Sequence, residues 1–316
     1  MNAKTNTKDI HSTLNPSPFH IDDNMFIICE NRNKNCTQKE IDSLISKEIL
    51  NHIDLEIMRL LCRYGFVNSY NIGFALSYTL LPQYKKKSYQ RNLQKMVRAG
   101  ILLKYSIRTG DSLEDAYISP MHFYALSAGA QDYIAPHVDT PFPRKLVLSK
   151  YDIMDCLSAS QLLIHFLKDY GNNCSVSARC LKRGKNRLGI IFDGMIQFNG
   201  HENCFNHPTQ IVLFSVRDNI ESFTRLYDRI LNLEKILKEK YPKYDSFLVI
   251  IVESIASIRS ISDFMVNDET LDSRLHHYYT VDTLLHTDPL LQSLFNVTFD
   301  KKKNISILNR VELHLQ

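Results

Sequence analysis

Eight cations in one stretch of this sequence suggest the chemistry it could do. Between Gln83 and Gly110, Lys85, Lys86, Lys87, Arg91, Lys95, Arg98, Lys104 and Arg108 occur with no Asp or Glu among them. The 316-residue chain carries a formal charge of only +4, so the remaining residues together are net negative. Positive charge concentrated in this way reads as a phosphate-binding surface, against the plainer alternative of a solvated charged face. If residues 88–99 are helical, Lys87, Arg91, Lys95 and Arg98 fall within roughly 80° of one another, opposite Tyr89, Leu93, Met96 and Val97. Ser88, Gln90, Asn92 and Gln94 flank that basic face, and the amide side chains among them could read base edges.

The surrounding elements must hold that helix in place. Gly100 suits its C-terminal cap; residues 101–108 then read as a strand, residues 110–115 as a turn and residues 116–119 as the return strand. Upstream, Ile53, Ile57, Leu60, Leu61 and Tyr64 form one apolar helical stripe. Residues 66–69 end that helix and can cap a second one through residues 70–80, which Pro82 closes. A short helix over residues 127–134 follows the hairpin. Helix, helix, basic helix and two-stranded wing is the order of a winged helix-turn-helix that offers its third helix to the major groove of double-stranded DNA. Lys104 and Arg108 would then hold the backbone from the wing. Winged helices also dock proteins, so an interaction module is a second reading.

A chain of this length calls for two domains, and 44% hydrophobic with 23% charged residues describes an ordinary globular protein. No apolar run is long enough to span a bilayer and no signal-peptide pattern opens the chain, so no membrane partner is expected. The seven cysteines are odd in number, scattered and without a CxxC pair, which favours reduced thiols and a cytoplasmic location. Residues 1–36 are polar and Asn-rich, with one apolar island at residues 25–29; they read as a flexible tail carrying a short docking strand or arm. Thr37 and Glu40 match a capping box ahead of a helix, and spacing alone leaves open whether that helix breaks at Asn51–His52. The winged unit is placed at residues 37–136, a proline-stiffened linker at 137–145 and a second domain at 146–316.

The second domain reads as a helix at 151–170, strands at 174–182, 188–198 and 209–216, a long helix at 219–240, and a continuous apolar strand at 246–252. A helix at 254–264 and strands near 277–282, 294–299 and 305–311 complete it. The fold class is α/β (α+β), with a mixed sheet in the second domain. His201, Cys204 and His207 are chemically competent metal ligands, but they lie where a hairpin loop is expected and lack a fourth spaced ligand. No Walker, GxGxxG, GxSxG or HExxH pattern occurs, and no metal or cofactor is expected.

Asp193 lies inside an apolar run, where an ionisable side chain is costly unless paired. Together with the order helix, three strands, helix, strand, it resembles the restriction-endonuclease-like core of the PD-(D/E)XK nuclease superfamily. That resemblance implies an acid on the second strand and an acid-x-lysine on the third, converging on a divalent cation. On the third strand Ser215 and Arg217 occupy the positions of the second acid and the lysine, leaving Asp193 and Arg217 as vestigial candidates. Over about residues 50–255 the chain resembles the plasmid replication-relaxation family, through residues 53–61 with 64–68, residues 91–102, residues 123–130, and Asp193 with residues 212–221. The resemblance implies a DNA-binding protein of a plasmid or other mobile element, acting in replication, transfer or transcription, with a non-catalytic nuclease-like domain. A homodimer, and contact with another replication or transfer protein, are further expectations. A metal-dependent endonuclease using Asp193 is the alternative.

Overall fold

The structure is a computed structural model that describes residues 17–79, 89–110, 117–143, 148–171, 174–183, 189–198, 208–218, 220–266, 276–286, 293–300 and 305–311. The chain mixes helices and sheets, as an α/β protein does, and divides into two compact units. The N-terminal unit comprises Ile21–Ile164 with Ser177–Cys180, and the C-terminal unit comprises Met1–His20, His165–Val176 and Leu181–Gln316. Among the described residues no helix is long and apolar enough to cross a membrane. Cys29, Cys36, Cys62, Cys156 and Cys174 form no disulfide.

In the N-terminal unit two capping boxes set the first two helices. Thr37 and Glu40 satisfy each other's backbone N–H groups at the start of α1, Gln38–Ser46. Asn51 and Asp54 do the same for α2, His52–Tyr64, so the chain breaks before Asn51 and α1 does not run on. Gly65 ends α2 at a φ of +78°, and the ring of Phe142 lies 2.6 Å from where a Cβ would stand, so any side chain here would be both strained and crowded. β2, Val67–Asn68, follows; the Asn68 Oδ1 accepts the Asn71 N–H at 2.7 Å and starts α3, Ser69–Thr79. Then come α4, Tyr89–Arg98, β3, Leu102–Thr109, β4, Tyr117–Leu126, and α5, Ala128–Ile134.

Two features depart from the sequence reading. Residues 17–36 are not a loose tail: β1, Met25–Cys29, pairs antiparallel with β3 over five residues and makes the sheet order β1-β3-β4-β2. Lys150 Nζ fixes the approach to β1 by donating to the carbonyls of Asp22, Asp23 and Met25 at 2.7–3.2 Å. Residues 1–16 lie outside the described residues. The return strand of the hairpin also runs well past Ser119. Ile118 pairs with Arg108 and His122 with Ser106, and the irregular register between them accommodates Pro120, which has no N–H for the ladder. Most of the expected turn, residues 111–115, lies outside the described residues.

α6, Lys150–Tyr170, belongs to the N-terminal unit as far as Ile164, so the boundary is not at the expected linker of residues 137–145. The C-terminal unit is built on a seven-stranded sheet whose elements follow: β5, Cys174–Arg183, β6, Gly189–Phe198, β7, Thr209–Ser215, α7, Ile220–Lys240, β8, Asp245–Val252, α8, Ile255–Val266, and β9, His276–Val281. β10, Leu294–Asp300, and β11, Ile305–Val311, complete it. The strands lie in the order β11-β10-β9-β8-β7-β6-β5, with β6–β7 antiparallel and β7–β8 and β8–β9 parallel. β7 is buried along its whole length, with Ile211–Phe214 as its apolar centre, and β8 is buried from Leu248 to Val252, which is why β8 reads as a continuous apolar run. Leu226, Ile230, Leu233 and Leu237 form the buried stripe of α7. Each such side chain contributes about 1.5–3 kcal/mol by leaving water.

Candidate nucleic-acid interface

The cations of α4 fall into two groups. Tyr89, Asn92, Leu93 and Met96 are buried, whereas Gln90, Arg91, Gln94 and Arg98 are exposed. At 100° per residue the four exposed positions span an arc of roughly 100°. The helix therefore turns two arginines and two glutamines outward, while Tyr89 seats it on α3, its ring 2.7 Å from where a Cβ on Gly73 would be. Burial raises the Tyr89 hydroxyl above its ordinary pKa, opposed by a hydrogen bond with the Gln90 side chain.

Lys95 and Asn92 are engaged with Asp54 of α2 and correct the expected basic face. Lys95 Nζ pairs with the carboxylate of Asp54 at 2.5 Å and donates to the Ile49 carbonyl at 2.8 Å. Asn92 Nδ2 donates to the other Asp54 oxygen at 2.8 Å. Asp54 is 0% exposed, so a single carboxylate caps α2 and ties α4 to it. On the hairpin, Lys104 Nζ is paired with Glu30 at 2.8 Å. Arg108 is half-buried and lies opposite Phe26 of β1 in the sheet. The acids that answer Lys95 and Lys104 come from α2 and from the turn after β1, distant in sequence, so the acid-free run concealed them. Lys85, Lys86, Lys87 and Ser88 lie outside the described residues.

Asp193 and Arg217 are not brought together. Gly194 pairs with Leu213, which sets Asp193 level with Phe214. The Asp193 carboxylate accepts the backbone N–H of Ser215 at 2.9 Å and pairs with Arg229 of α7, also at 2.9 Å. The Arg229 guanidinium lies 3.9 Å from the centroid of the Phe214 ring. Successive side chains of a strand face opposite sides, so Ser215 points away from this pair, and its hydroxyl instead accepts from Arg217 Nη2 at 2.7 Å. The side chains nearest Asp193 on its face of the sheet are Val212 and Phe214 of β7 and Val216 just beyond it, none of which can ligate a metal; Gln210, farther along the same face, accepts from Gln197 at 3.3 Å. Aligning Ser215 and Arg217 with an acid-x-lysine was therefore out of register by one residue, and Asp193 is a buried ion-pair partner. His201, Cys204 and His207 lie outside the described residues.

Arg217 belongs to a cluster that the sequence reading did not find. It is 0% exposed and donates from Nη1 to Asp282 Oδ2 at 2.8 Å, with Glu253 Oε1 at 3.7 Å. Glu253 and Asp282 are each the first residue after a parallel strand, β8 and β9. For Glu253 a charge directly behind the buried apolar run of β8 was the available signal; β9 opens on two histidines and offered none for Asp282. Comparison of the chain with known protein families and with curated proteins finds no match.

Proposed function

We propose that this protein binds double-stranded DNA through a winged helix-turn-helix in its N-terminal unit, with α4 in the major groove and the β3–β4 hairpin beside the backbone. The observation that carries this reading is the outward arc of α4. Arg is the residue type that pairs bidentately with guanine and Gln the type that pairs bidentately with adenine, and Gln90, Arg91, Gln94 and Arg98 occupy that arc. The element order supports it: β2 lies between α2 and α3 and pairs with β4, which anchors the hairpin to the helices ahead of the exposed one. Lys95, engaged with Asp54, is left out of the contact set. Lys104 contributes to the hairpin's charge only to the extent that Glu30 leaves it unscreened.

On this reading the protein is a cytoplasmic regulator of replication, transfer or transcription on a plasmid or mobile element, an affiliation that rests on the family resemblance. The C-terminal unit serves dimerisation or partner binding. The endonuclease alternative would require Asp193 to exchange Arg229 for a cation where its β7 neighbours, Val212 and Phe214, are apolar. A mobility-shift assay with short duplexes at two salt concentrations tests the proposal. A shift that weakens steeply with salt is expected, and no shift even at low salt would overturn it.

A further inference from the structure

A cavity of about 700 Å³ lies within the N-terminal unit, along β1. All five residues of β1 line it, and from Met25 to Cys29 the strand is roughly 13 Å long. Cys29 pairs with Tyr105 and Ile27 with Ile107, so Met25, Ile27, Cys29 and Tyr105 share one face of the sheet. Leu148 and Ile153, at the start of α6, also line the cavity, whose volume is that of a small-molecule site.

Its two ends differ. At the Met25 end the polar groups are engaged: Lys150 Nζ donates to three main-chain carbonyls, and the Asp23 carboxylate accepts the Tyr151 hydroxyl at 2.7 Å. At the Cys29 end Arg32 is exposed and, among the described residues, has no carboxylate partner. Glu30, its nearest acid in sequence, is paired with Lys104 at 2.8 Å. The Tyr105 hydroxyl is hydrogen-bonded to the Cys29 thiol and lies close enough to Arg32 to feel its charge. Burial, reinforced by Cys29 and opposed by Arg32, pushes that hydroxyl up to about 12, so at neutral pH it keeps its O–H donor beside the guanidinium.

We propose that this cavity binds an apolar monocarboxylate of the fatty-acid type, its carboxylate on Arg32 and Tyr105 and its chain along Met25, Ile27, Leu148 and Ile153. A carboxylate accepts two N–H bonds from the guanidinium fork and has lone pairs left for the phenol, whereas a neutral or cationic head leaves Arg32 unanswered. The chain takes the apolar wall out of water. The site stands whether or not α4 meets DNA.

The full chain titrated with hexanoate, octanoate and decanoate tests this, read by the rate at which iodoacetamide alkylates Cys29. The acids should slow Cys29 saturably and leave Cys174, part-exposed in the C-terminal unit, unaffected. The half-saturating concentration should fall with chain length, by up to about fourfold for each methylene. Octanol, with the same chain and no charge, should bind about three- to tenfold more weakly than octanoate. Arg32→Met should weaken octanoate by a similar factor without weakening octanol. Lys34→Met, an exposed cation that does not line the cavity, should change neither. No protection by any of the three acids, no dependence on chain length, equal protection by octanol, or parental octanoate binding in Arg32→Met would overturn the proposal.

Discussion

Arg91 and Arg98 of the N-terminal unit and Arg217 and Arg229 of the C-terminal unit carry the same group into opposite environments. The first two stand on the exposed arc of a helix. Arg217 is fully buried and engages Asp282, Glu253 and Ser215, while Arg229 holds Asp193 against the Phe214 ring. An exposed guanidinium contributes little to folding and can contact a ligand at small cost. A buried one is fixed by its carboxylates, and removing it strands their charge. The comparison separates cations that could bind DNA from cations that hold the fold together, a distinction that charge counting along the sequence cannot make.

The largest effect expected from that contrast is at Arg217. Arg217→Met should destabilise the C-terminal unit by about 3–5 kcal/mol, because Asp282 and Glu253 lose the buried guanidinium between them. Urea unfolding measures it, and a loss below about 1 kcal/mol would mean that the cluster is not held by charge. Asp54→Ala should cost about 2–3 kcal/mol, since it removes the cap of α2 and leaves Lys95 and Asn92 without their shared acceptor. Lys95→Ala should cost about 1–2 kcal/mol and leave the salt dependence of DNA binding unchanged, which groups it with the cations that hold the fold together. Arg91→Ala with Arg98→Ala should leave stability within about 0.5 kcal/mol of the parent at each site. A larger loss there would remove the distinction between the two groups.

Much of the fold was legible because its signals are local. The Thr37–Glu40 capping box, the apolar runs of β7 and β8, and the stripe of α7 each lie within a short window, and the structure has elements at those places. What was not legible depends on distance or on a single-residue register. Asp54 and Lys95 are 41 residues apart in sequence, and nothing in the cationic run announces its partner. β1 joins the hairpin across a still longer separation, so its apolar island could be read only as a short docking strand or arm, with no partner to name. The expected return strand stopped at Ser119, whereas a local irregularity in pairing carries β4 past Pro120. For Asp193, the choice between Phe214 and Ser215 as neighbour is a shift of one residue, and in a sheet that shift exchanges one face for the other.

The salt dependence of duplex binding tests the central claim most directly, measured by fluorescence anisotropy for the parent chain, Lys95→Ala, and Arg91→Ala combined with Arg98→Ala. If the outward arc of α4 contacts DNA, the arginine pair should weaken binding and lower the slope of log affinity against log salt by about two if both arginines meet phosphates, or relax base preference if they read guanine, while Lys95→Ala keeps the parental slope. Parental affinity, slope and base preference in the arginine variant would contradict the assignment and take α4 out of the interface.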